Sequence, residues 1–305
     1  MVAPVFLMVA IGYILRRLGI INDNFVSVSS KVVFTVSLPA LIFKEVSTIS
    51  LDQVFDINQI IFVYIITIIT FALGWLFAIV FAKTDKDKGA FIQGSFRGNY
   101  AIIGLALIVN ILGESALAKA SLILSFVIPL YNVLTIIILT IYSGNGKPLN
   151  ILHLFRGVIT NPLIVAIILA LPFSYFQIEL NSIITVTIDH IADLTLPLAL
   201  VGIGGFLNFT DIKNASVPAF LASSLKIILT PLIGTLAAYL LGYRGNDIGI
   251  LFIVFACPTA IASFIMAEAM GSNSRLAGNI VLITTIGSIL TISAGLFILK
   301  INGII

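Results

Sequence analysis

An arginine, a glycine and an asparagine interrupt an apolar stretch of this chain, at residues 97–99 within "SFRGNYAIIGLAL". Glycine weakens a helix, and an asparagine amide needs hydrogen-bond partners once it leaves water. An arginine guanidinium can bind a carboxylate with two parallel hydrogen bonds. Arg97 can therefore neutralise an anion, or it can extend its charge toward the membrane surface or pair with an acidic neighbour.

A second interruption lies in "ACPTA" at residues 256–260. Pro258 has no backbone N–H, and its ring clashes with the preceding helical turn. Backbone left unpaired at membrane depth is tolerated only where it lines a cavity or is buried in protein. The two interruptions together favour a binding site, although packing or a simple kink is the alternative for each.

Several other ionisable side chains fall within apolar runs, where such groups are costly and often functional. Asp189, His190 and Asp193 are spaced to share one helix face and form a candidate proton relay. Asp193 and Glu268 are candidates for carrying a coupling proton. Lys226 is a further candidate for coupling, or for an ion pair with an acidic residue.

The composition identifies the medium that surrounds these residues. The chain of 305 residues is 60% hydrophobic and 10% charged, with a mean hydropathy of +1.19. Soluble domains are about 45–50% apolar and ~25% charged, so this is predicted to be an all-α polytopic membrane protein. The net charge of +3 gives no reason to expect nucleic acid as a partner. The single cysteine, Cys257, excludes an internal disulfide.

A helix that crosses the hydrocarbon needs about 20 mostly apolar residues. The chain is predicted to contain ten such spans, the first of which is retained because it has no cleavage site after it. Their approximate limits are 2–18, 29–49, 57–82, 89–111, 116–142, 150–172, 182–206, 215–242, 247–270 and 275–300.

Lysine and arginine residues accumulate in cytoplasmic loops, which orients the spans. If both termini are extracytoplasmic, ten basic residues face the cytoplasm and four face outward. The inner ones are Arg16, Arg17, Lys31, Lys83, Lys86, Lys88, Lys147, Arg156, Lys213 and Arg275; the outer ones are Lys44, Lys119, Arg244 and Lys300. We therefore expect a cell-membrane protein with both termini outside.

Similar segments recur at an offset of 158 residues. This offset aligns "VSLPALIF" (36–43) with "LTLPLALV" (194–201), and "RGNYAIIG" (97–104) with "FACPTAIA" (255–262). The predicted division is a first five-helix repeat at 1–143, a cytoplasmic loop at 144–149 and a second repeat at 150–305. Because five is odd, the second repeat is inverted relative to the first, as in many secondary transporters.

The repeat places both interruptions near mid-membrane. The helices that follow them, predicted to start near Tyr100 and Thr259, would direct their N-terminal ends at the membrane centre. Such ends carry partial positive charge and free N–H groups, which favour an anion. The predicted substrate-binding residues are Arg97, Gly98, Asn99, Tyr100, Gly104, Cys257, Pro258, Thr259 and Ser263. Pro39 and Pro197 are predicted to kink the matching spans, and the glycines of "VGIGG" (201–205) to allow close helix packing near the place where the broken spans cross.

The motifs "APVFLMVAIGYILRRLGI", "SLPALIF", "FRGNYAIIGLAL", "TLPLALVGIGGFL" and "ACPTAIASFIMAEAMGSN" resemble the auxin efflux carrier family, related to the bile acid/auxin/arsenite transporters. The resemblance covers essentially the whole chain. It implies two inverted five-helix repeats with broken helices 4 and 9 crossing in a transport domain, beside a scaffold domain, and elevator-type alternating access. It implies that Asn99 and Pro258 occupy the crossover.

The resemblance also implies a substrate class, because bacterial members of the family are known as permeases for malate, malonate and similar anions. Two departures are visible. Ala106 stands where relatives commonly have proline, and the long hydrophilic central loop of plant carriers is absent, which disfavours auxin itself. The expected partners are a small organic anion such as a carboxylate and the lipid bilayer; a proton or sodium ion and a homodimer are candidates.

Rival functions are separated by their sequence requirements. A sodium-coupled bile-acid-type symporter and a channel or sensor stay open. A sodium/proton antiporter usually needs buried carboxylates in the fifth span, and "SLILSFVIPLYNVLTIIILTIYSGNG" has none. An enzyme is not expected, because the chain has neither G-x-S-x-G nor HExxH, and its two histidines, His153 and His190, fit no metal pattern. No cofactor or metal is expected.

Overall fold

A computed structural model describes residues 3–48, 56–142, 160, 162–206 and 216–305. In this part of the chain the backbone is helical apart from short connections and one isolated antiparallel β-bridge, between Gly98 and Thr259. The prediction of an all-α protein is confirmed. The predicted connecting loop at 144–149 lies outside the described residues, as do residues 150–159 of the predicted sixth span.

Within the described residues, six helices are long and apolar enough to cross a membrane. They are Asp23–Lys44, Ile57–Phe81, Ser115–Tyr142, Ser182–Phe206, Val217–Leu240 and Ser274–Ile301. Shorter apolar helices occupy Tyr100–Leu112, Pro162–Phe176 and Gly245–Ala256. A multi-pass membrane protein follows from these helices, while the total of ten spans stays a prediction.

Most helices of the first predicted repeat begin and end near the predicted span limits, but the second span begins at Asp23 and was predicted to begin at 29. They are α1 (Ala3–Arg17), α2 (Asp23–Val32), α3 (Leu38–Ser47), α4 (Ile57–Phe81), α5 (Asp85–Phe96), α6 (Leu105–Leu112) and α7 (Ser115–Tyr142). Two π-helical turns, Val33–Ser37 and Tyr100–Gly104, precede α3 and α6.

The second predicted repeat has a similar series. Its helices are α8 (Pro162–Phe176), α9 (Ser182–Asp193), α10 (Thr195–Phe206), α11 (Val217–Ser224), α12 (Thr230–Leu240), α13 (Gly245–Ala256), α14 (Ala262–Ala269) and α15 (Ser274–Ile301). A π-helical turn, Leu225–Leu229, joins α11 to α12.

The two predicted broken spans are divided at similar places. Helices α5 and α13, which precede the interruptions, have 12 residues each. Helices α6 and α14, which follow them, have 8 residues each, but the π-helical turn Tyr100–Gly104 extends α6 at its N-terminal side.

The packing divides the chain into two compact units, each built from both predicted repeats. The first unit contains Met1–Ile57, Ala101–Pro129 and Leu152–Leu207. The second unit contains Asn58–Tyr100, Leu130–Ile151 and Asn208–Ile305.

The first unit is organised around a close contact between α1 and α10. A Cβ atom added at Gly204 would lie 1.9 Å from the carbonyl oxygen of Val9, and one added at Gly12 would lie 2.2 Å from that of Val201. Only glycine allows two backbones to approach in this way. The prediction of close packing at "VGIGG" is confirmed, with α1 as the partner. Its expected location near the crossing of the broken spans stays a prediction.

The second unit packs aromatic side chains around α5 and α13. Phe71 and Phe96 are in edge-to-face contact, with ring centroids 5.2 Å apart. A Cβ atom added at Gly234 would lie 2.3 Å from the Phe255 ring, so this glycine makes room for the aromatic side chain near the end of α13. The ends of α5 and α13 are therefore held in a packed interior.

Candidate functional site

The two interrupted helices of the second unit meet in a short pair of extended segments, residues 97–99 and 257–261, which we call the crossing. Helix α5 ends because Arg97 adopts extended backbone angles, with φ −77° and ψ 101°. Helix α13 ends at Cys257, with φ −52° and ψ 137°. The prediction that both spans are broken at these residues is confirmed.

The two extended segments form backbone hydrogen bonds with each other. The Asn99 N–H donates to the Pro258 carbonyl at 2.7 Å, and the Ala260 N–H donates to the Arg97 carbonyl at 3.1 Å. Gly98 stands opposite Thr259 in this antiparallel bridge. Buried backbone groups must be paired, so these bonds let two helices stay broken inside an apolar protein.

Side chains complete the hydrogen bonding at the ends of the two preceding helices. The Thr259 hydroxyl donates to the Gly94 carbonyl of α5 at 2.7 Å. The Thr259 N–H in turn donates to the Thr284 hydroxyl of α15 at 3.0 Å. The Lys226 ammonium donates to the Phe255 carbonyl of α13 at 2.7 Å. Carbonyls at a helix C-terminus lack partners within the helix, which these donors supply.

Arg97 is 8% exposed and is held only by neutral groups. Its guanidinium donates to the Asn132 side-chain oxygen at 2.9 Å and the Thr135 hydroxyl at 3.3 Å, both on α7, and to the Met266 sulfur at 2.7 Å on α14. Among the side chains that the structure describes, no carboxylate forms an ion pair with it. Within the described residues, the positive charge is therefore buried without a compensating negative charge.

Asn99 is 6% exposed, and its side-chain amide makes no hydrogen bond to any residue in the described part of the chain. Only its backbone is engaged, through Pro258. Among the buried side chains of this unit that have no hydrogen-bond partner in the described part of the chain are Gln93, one turn before Arg97, with both of its polar atoms, and Ser263 with its hydroxyl. Buried polar groups are normally paired, so these atoms are suited to a ligand.

The helices that follow the crossing differ from the prediction in one respect. The first begins at Tyr100, as predicted, with the π-helical turn that ends at Gly104. The second begins at Ala262, three residues later than predicted, because Thr259 belongs to the extended segment. The N–H groups of Ser263 and Phe264 already donate to carbonyls of the preceding turn. Helix ends therefore supply fewer free donors than expected, and the side chains of Arg97 and Asn99 are the better candidates.

The remaining predicted residues lie in different places. Tyr100 and Cys257 are buried in the second unit, while Gly104 falls in the first. Asp193 is exposed at the end of α9 in the first unit. The Glu268 side chain lies outside the described residues. In the first unit Asp189 pairs with Lys44 at 3.0 Å, and His190 is exposed, so neither joins the crossing.

Lys226 does not form the predicted ion pair with an acidic residue in the described part of the chain, since its partner is the Phe255 carbonyl. Sequence reasoning also missed Asn132, Thr135, Met266 and Thr284. The signal for the first two was present: a polar pair spaced three apart in an apolar span shares one helix face.

Three comparisons connect the chain to known proteins. The family described as "Membrane transport protein" matches residues 1–156 and 147–295. A protein of Methanothermobacter thermautotrophicus named "Uncharacterized transporter" is 22% identical over 296 residues, which cover 95% of each chain. A protein of Rhizobium meliloti named "Putative malonate transporter" is 25% identical over 309 residues, covering 98% of this chain and 95% of the relative.

Proposed function

We propose that this chain is a carrier for a small organic carboxylate. The chain belongs to the membrane transport protein family, which its motifs resemble. The family membership supports transport as the general activity. The carboxylate is our own inference, and it depends on one observation: among the residues that the structure describes, Arg97 is a buried cation with only neutral partners, next to the Asn99 amide, which has no partner there.

The cost of burial gives this observation its weight. A cation placed in a low-dielectric interior without an opposite charge is strongly destabilised. A bound carboxylate would compensate that charge and accept two parallel hydrogen bonds from the guanidinium. The Asn99 amide can donate to the same anion. We therefore assign Arg97 and Asn99 as the principal substrate-binding residues, with Gly98 and Pro258 holding the backbone that presents them.

Malonate is the first substrate to test, because the Rhizobium meliloti relative is named for it. A dicarboxylate also fits the chemistry of the second unit, in which unpartnered Gln93 and Ser263 offer polar atoms besides Arg97 and Asn99. These residues would bind a second carboxylate or a hydroxyl group of the same molecule.

We further propose an inverted-repeat carrier with elevator-type alternating access. The equal lengths of α5 and α13 and the break that follows each of them support the repeat. The second unit contains Arg97, Asn99 and the crossing, which makes it the candidate for the moving part. The chain passes between the units at Tyr100–Ala101, inside a π-helical turn, and at Pro129, inside α7. Both features weaken helical hydrogen bonding and are suited to bending.

The proposal is tested by counterflow of labelled malonate in proteoliposomes that contain the purified protein. Unlabelled carboxylates inside the vesicles should accelerate uptake, and the uncharged diamide of malonate should not. Arg97→Gln should weaken malonate binding about 10-fold to 150-fold, the loss expected for a hydrogen bond to a charged group. Arg16→Gln is the matched control, since Arg16 forms an ion pair with Asp23 near the chain terminus.

Three results would contradict the proposal. Equal exchange of malonate and its diamide would show that charge is not recognised. A conductance without counterflow would indicate a channel. Wild-type affinity in a folded Arg97→Gln variant would place the site elsewhere.

The orientation is proposed from the basic residues, with both termini extracytoplasmic. Cys257 is the only cysteine and is buried, so a single introduced cysteine can report its own accessibility. A cysteine introduced in the 144–149 loop should resist impermeant reagents in intact cells, and one added after Ile305 should react. The reverse labelling pattern would contradict the orientation.

A further inference from the structure

We propose that the Lys226 ammonium is a built-in cation of the crossing, occupying the position at which a sodium-coupled carrier would bind its ion, so that this protein operates without sodium. The inference rests on the proposed carrier function and adds the identity of the coupling cation to it. Lys226 is 1% exposed and lies in the π-helical turn Leu225–Leu229.

Two distances show where the ammonium lies. Nζ donates to the carbonyl of Phe255, the penultimate residue of α13, at 2.7 Å. A Cβ atom added at Gly98 would lie 3.4 Å from the same nitrogen. The ammonium therefore lies directly beside the crossing, at the C-terminal end of one of its helices.

The C-terminal end of α13, where the ammonium lies, has the chemical features of a cation-binding site. A helix C-terminus carries partial negative charge and carbonyl oxygens without helical partners. In carriers with broken helices, such carbonyls coordinate the coupling sodium or proton. Here a covalently attached ammonium already supplies the charge and uses the Phe255 carbonyl. A sodium ion within a few ångströms of it would meet strong repulsion in a medium of low dielectric constant.

Within the part of the chain that the structure describes, no group of three His, Cys, Asp or Glu side chains is arranged to hold a metal ion.

The test measures sodium binding without any organic anion, so that it stands apart from the identity of the substrate. Thermal unfolding of the purified protein is followed while sodium replaces choline at constant ionic strength. The wild type should show no sodium-specific rise in melting temperature. Lys226→Met, which removes the charge at similar volume, should gain a rise that increases with the logarithm of sodium concentration. Lys226→Arg should behave as the wild type does.

The matched control is Lys88→Met, because Lys88 is paired with Asp85 at the start of α5, in the same unit. It should remain insensitive to sodium. Sodium-specific stabilisation of the wild type would overturn the proposal, and so would a folded Lys226→Met variant that ignores sodium. If that variant folds only in sodium, the proposal is supported; if it folds in neither salt, the wild-type titration decides.

A transport measurement separates failure of this inference from failure of the proposed function. If wild-type counterflow of malonate is equal in sodium and choline, both proposals stand. If counterflow requires sodium, the carboxylate carrier stands and the built-in cation is wrong. If no carboxylate exchanges, the proposed substrate class is wrong, and the sodium titration still reports on Lys226.

Discussion

The interrupted helices of the two units differ in what happens to their backbone. In the first unit the chain stays helical through both interruptions: Leu38 after the π-helical turn has φ −68° and ψ −42°, and Leu194 between α9 and α10 has φ −70° and ψ −20°. In the second unit Arg97 and Cys257 are extended, with ψ 101° and 137°. The first unit keeps a helical backbone through its interruptions, and the second breaks it.

The position of proline explains part of this difference. Pro39 is the second residue of α3, and Pro197 is the third residue of α10. Each proline follows a local change in helical hydrogen bonding, the π-helical turn Val33–Ser37 or the turn at Leu194, and such places tolerate a missing N–H. Pro258 instead lies in the extended segment, where its carbonyl accepts from Asn99. Proline alone does not predict a break; the pairing of two segments maintains it.

The two units also differ in how a charged side chain is paired and buried. Lys44 of the first unit is about one-third exposed and pairs with the Asp189 carboxylate. Arg97 of the second unit is buried among neutral partners. A compensated charge near the surface is a structural feature, whereas an uncompensated buried charge is suited to a ligand. Four predictions test this comparison, from the largest expected effect to the smallest.

Asn99→Ala should weaken substrate binding by about 1–3 kcal/mol, or about 5-fold to 150-fold, because it removes a donor to a charged partner. Stability should change little, since the Asn99 amide has no partner within the described chain. The measurement is malonate affinity by calorimetry. Asn110→Ala is the control, because the Asn110 amide only donates to the Ala106 carbonyl of its own helix. Equal affinities in both variants would remove Asn99 from the site.

Pro258→Ala should weaken binding by about 1–3 kcal/mol, by restoring an N–H that can return to the carbonyl of residue 254 and extend α13 into the crossing. Pro197→Ala should leave affinity unchanged, since Pro197 is in the first turn of a helix. The comparison needs malonate affinities of both variants, together with their melting temperatures. A Pro197→Ala effect as large as that of Pro258→Ala would erase the distinction between continuous and broken helices.

The sequence predicts the spans better than it predicts the contacts. The span at 57–82 was predicted from continuous apolar composition, and helix α4 is Ile57–Phe81. The breaks were predicted because glycine, asparagine and proline are poor helix formers at mid-span. The three π-helical turns were not predicted, since a change in helical hydrogen bonding has no clear signature in residue type.

The hydrogen-bond partners of Lys226 and Arg97 could not be predicted from the sequence, for a physical reason. Lys226 binds a backbone carbonyl, and every residue has one, so residue type cannot select Phe255. Arg97 binds Asn132 and Thr135, whose polar spacing in α7 is visible in the sequence, but their proximity depends on tertiary packing. The late start of α14 likewise follows from the bridge between Gly98 and Thr259, which is a long-range contact.

Thr259→Val should destabilise the fold by about 0.6–1.7 kcal/mol, the range found for hydrogen bonds between helices in membranes. The change keeps the shape of the side chain and removes the hydroxyl that donates to the buried Gly94 carbonyl. Thr187→Val is the matched control, because the Thr187 hydroxyl donates to Ile183 on an exposed helix surface. Chemical unfolding in detergent measures both. A larger loss for the control would show that the crossing is not the more tightly held region.

Asp189→Asn should have the smallest effect, about 0.2–1 kcal/mol, because a partly exposed ion pair gains little over its hydration. The pair with Lys44 has both side chains about one-third exposed, so solvent and salt screen it. The measurement is a double-mutant cycle with Lys44→Met, read by unfolding at low and high salt, where the coupling energy should fall as salt rises. Malonate affinity should stay at the wild-type value, because the pair lies in the first unit. A coupling energy of several kcal/mol would show that this compensated pair is not a weak surface interaction. A loss of malonate binding as large as that of Asn99→Ala would show that the binding site is not confined to the crossing.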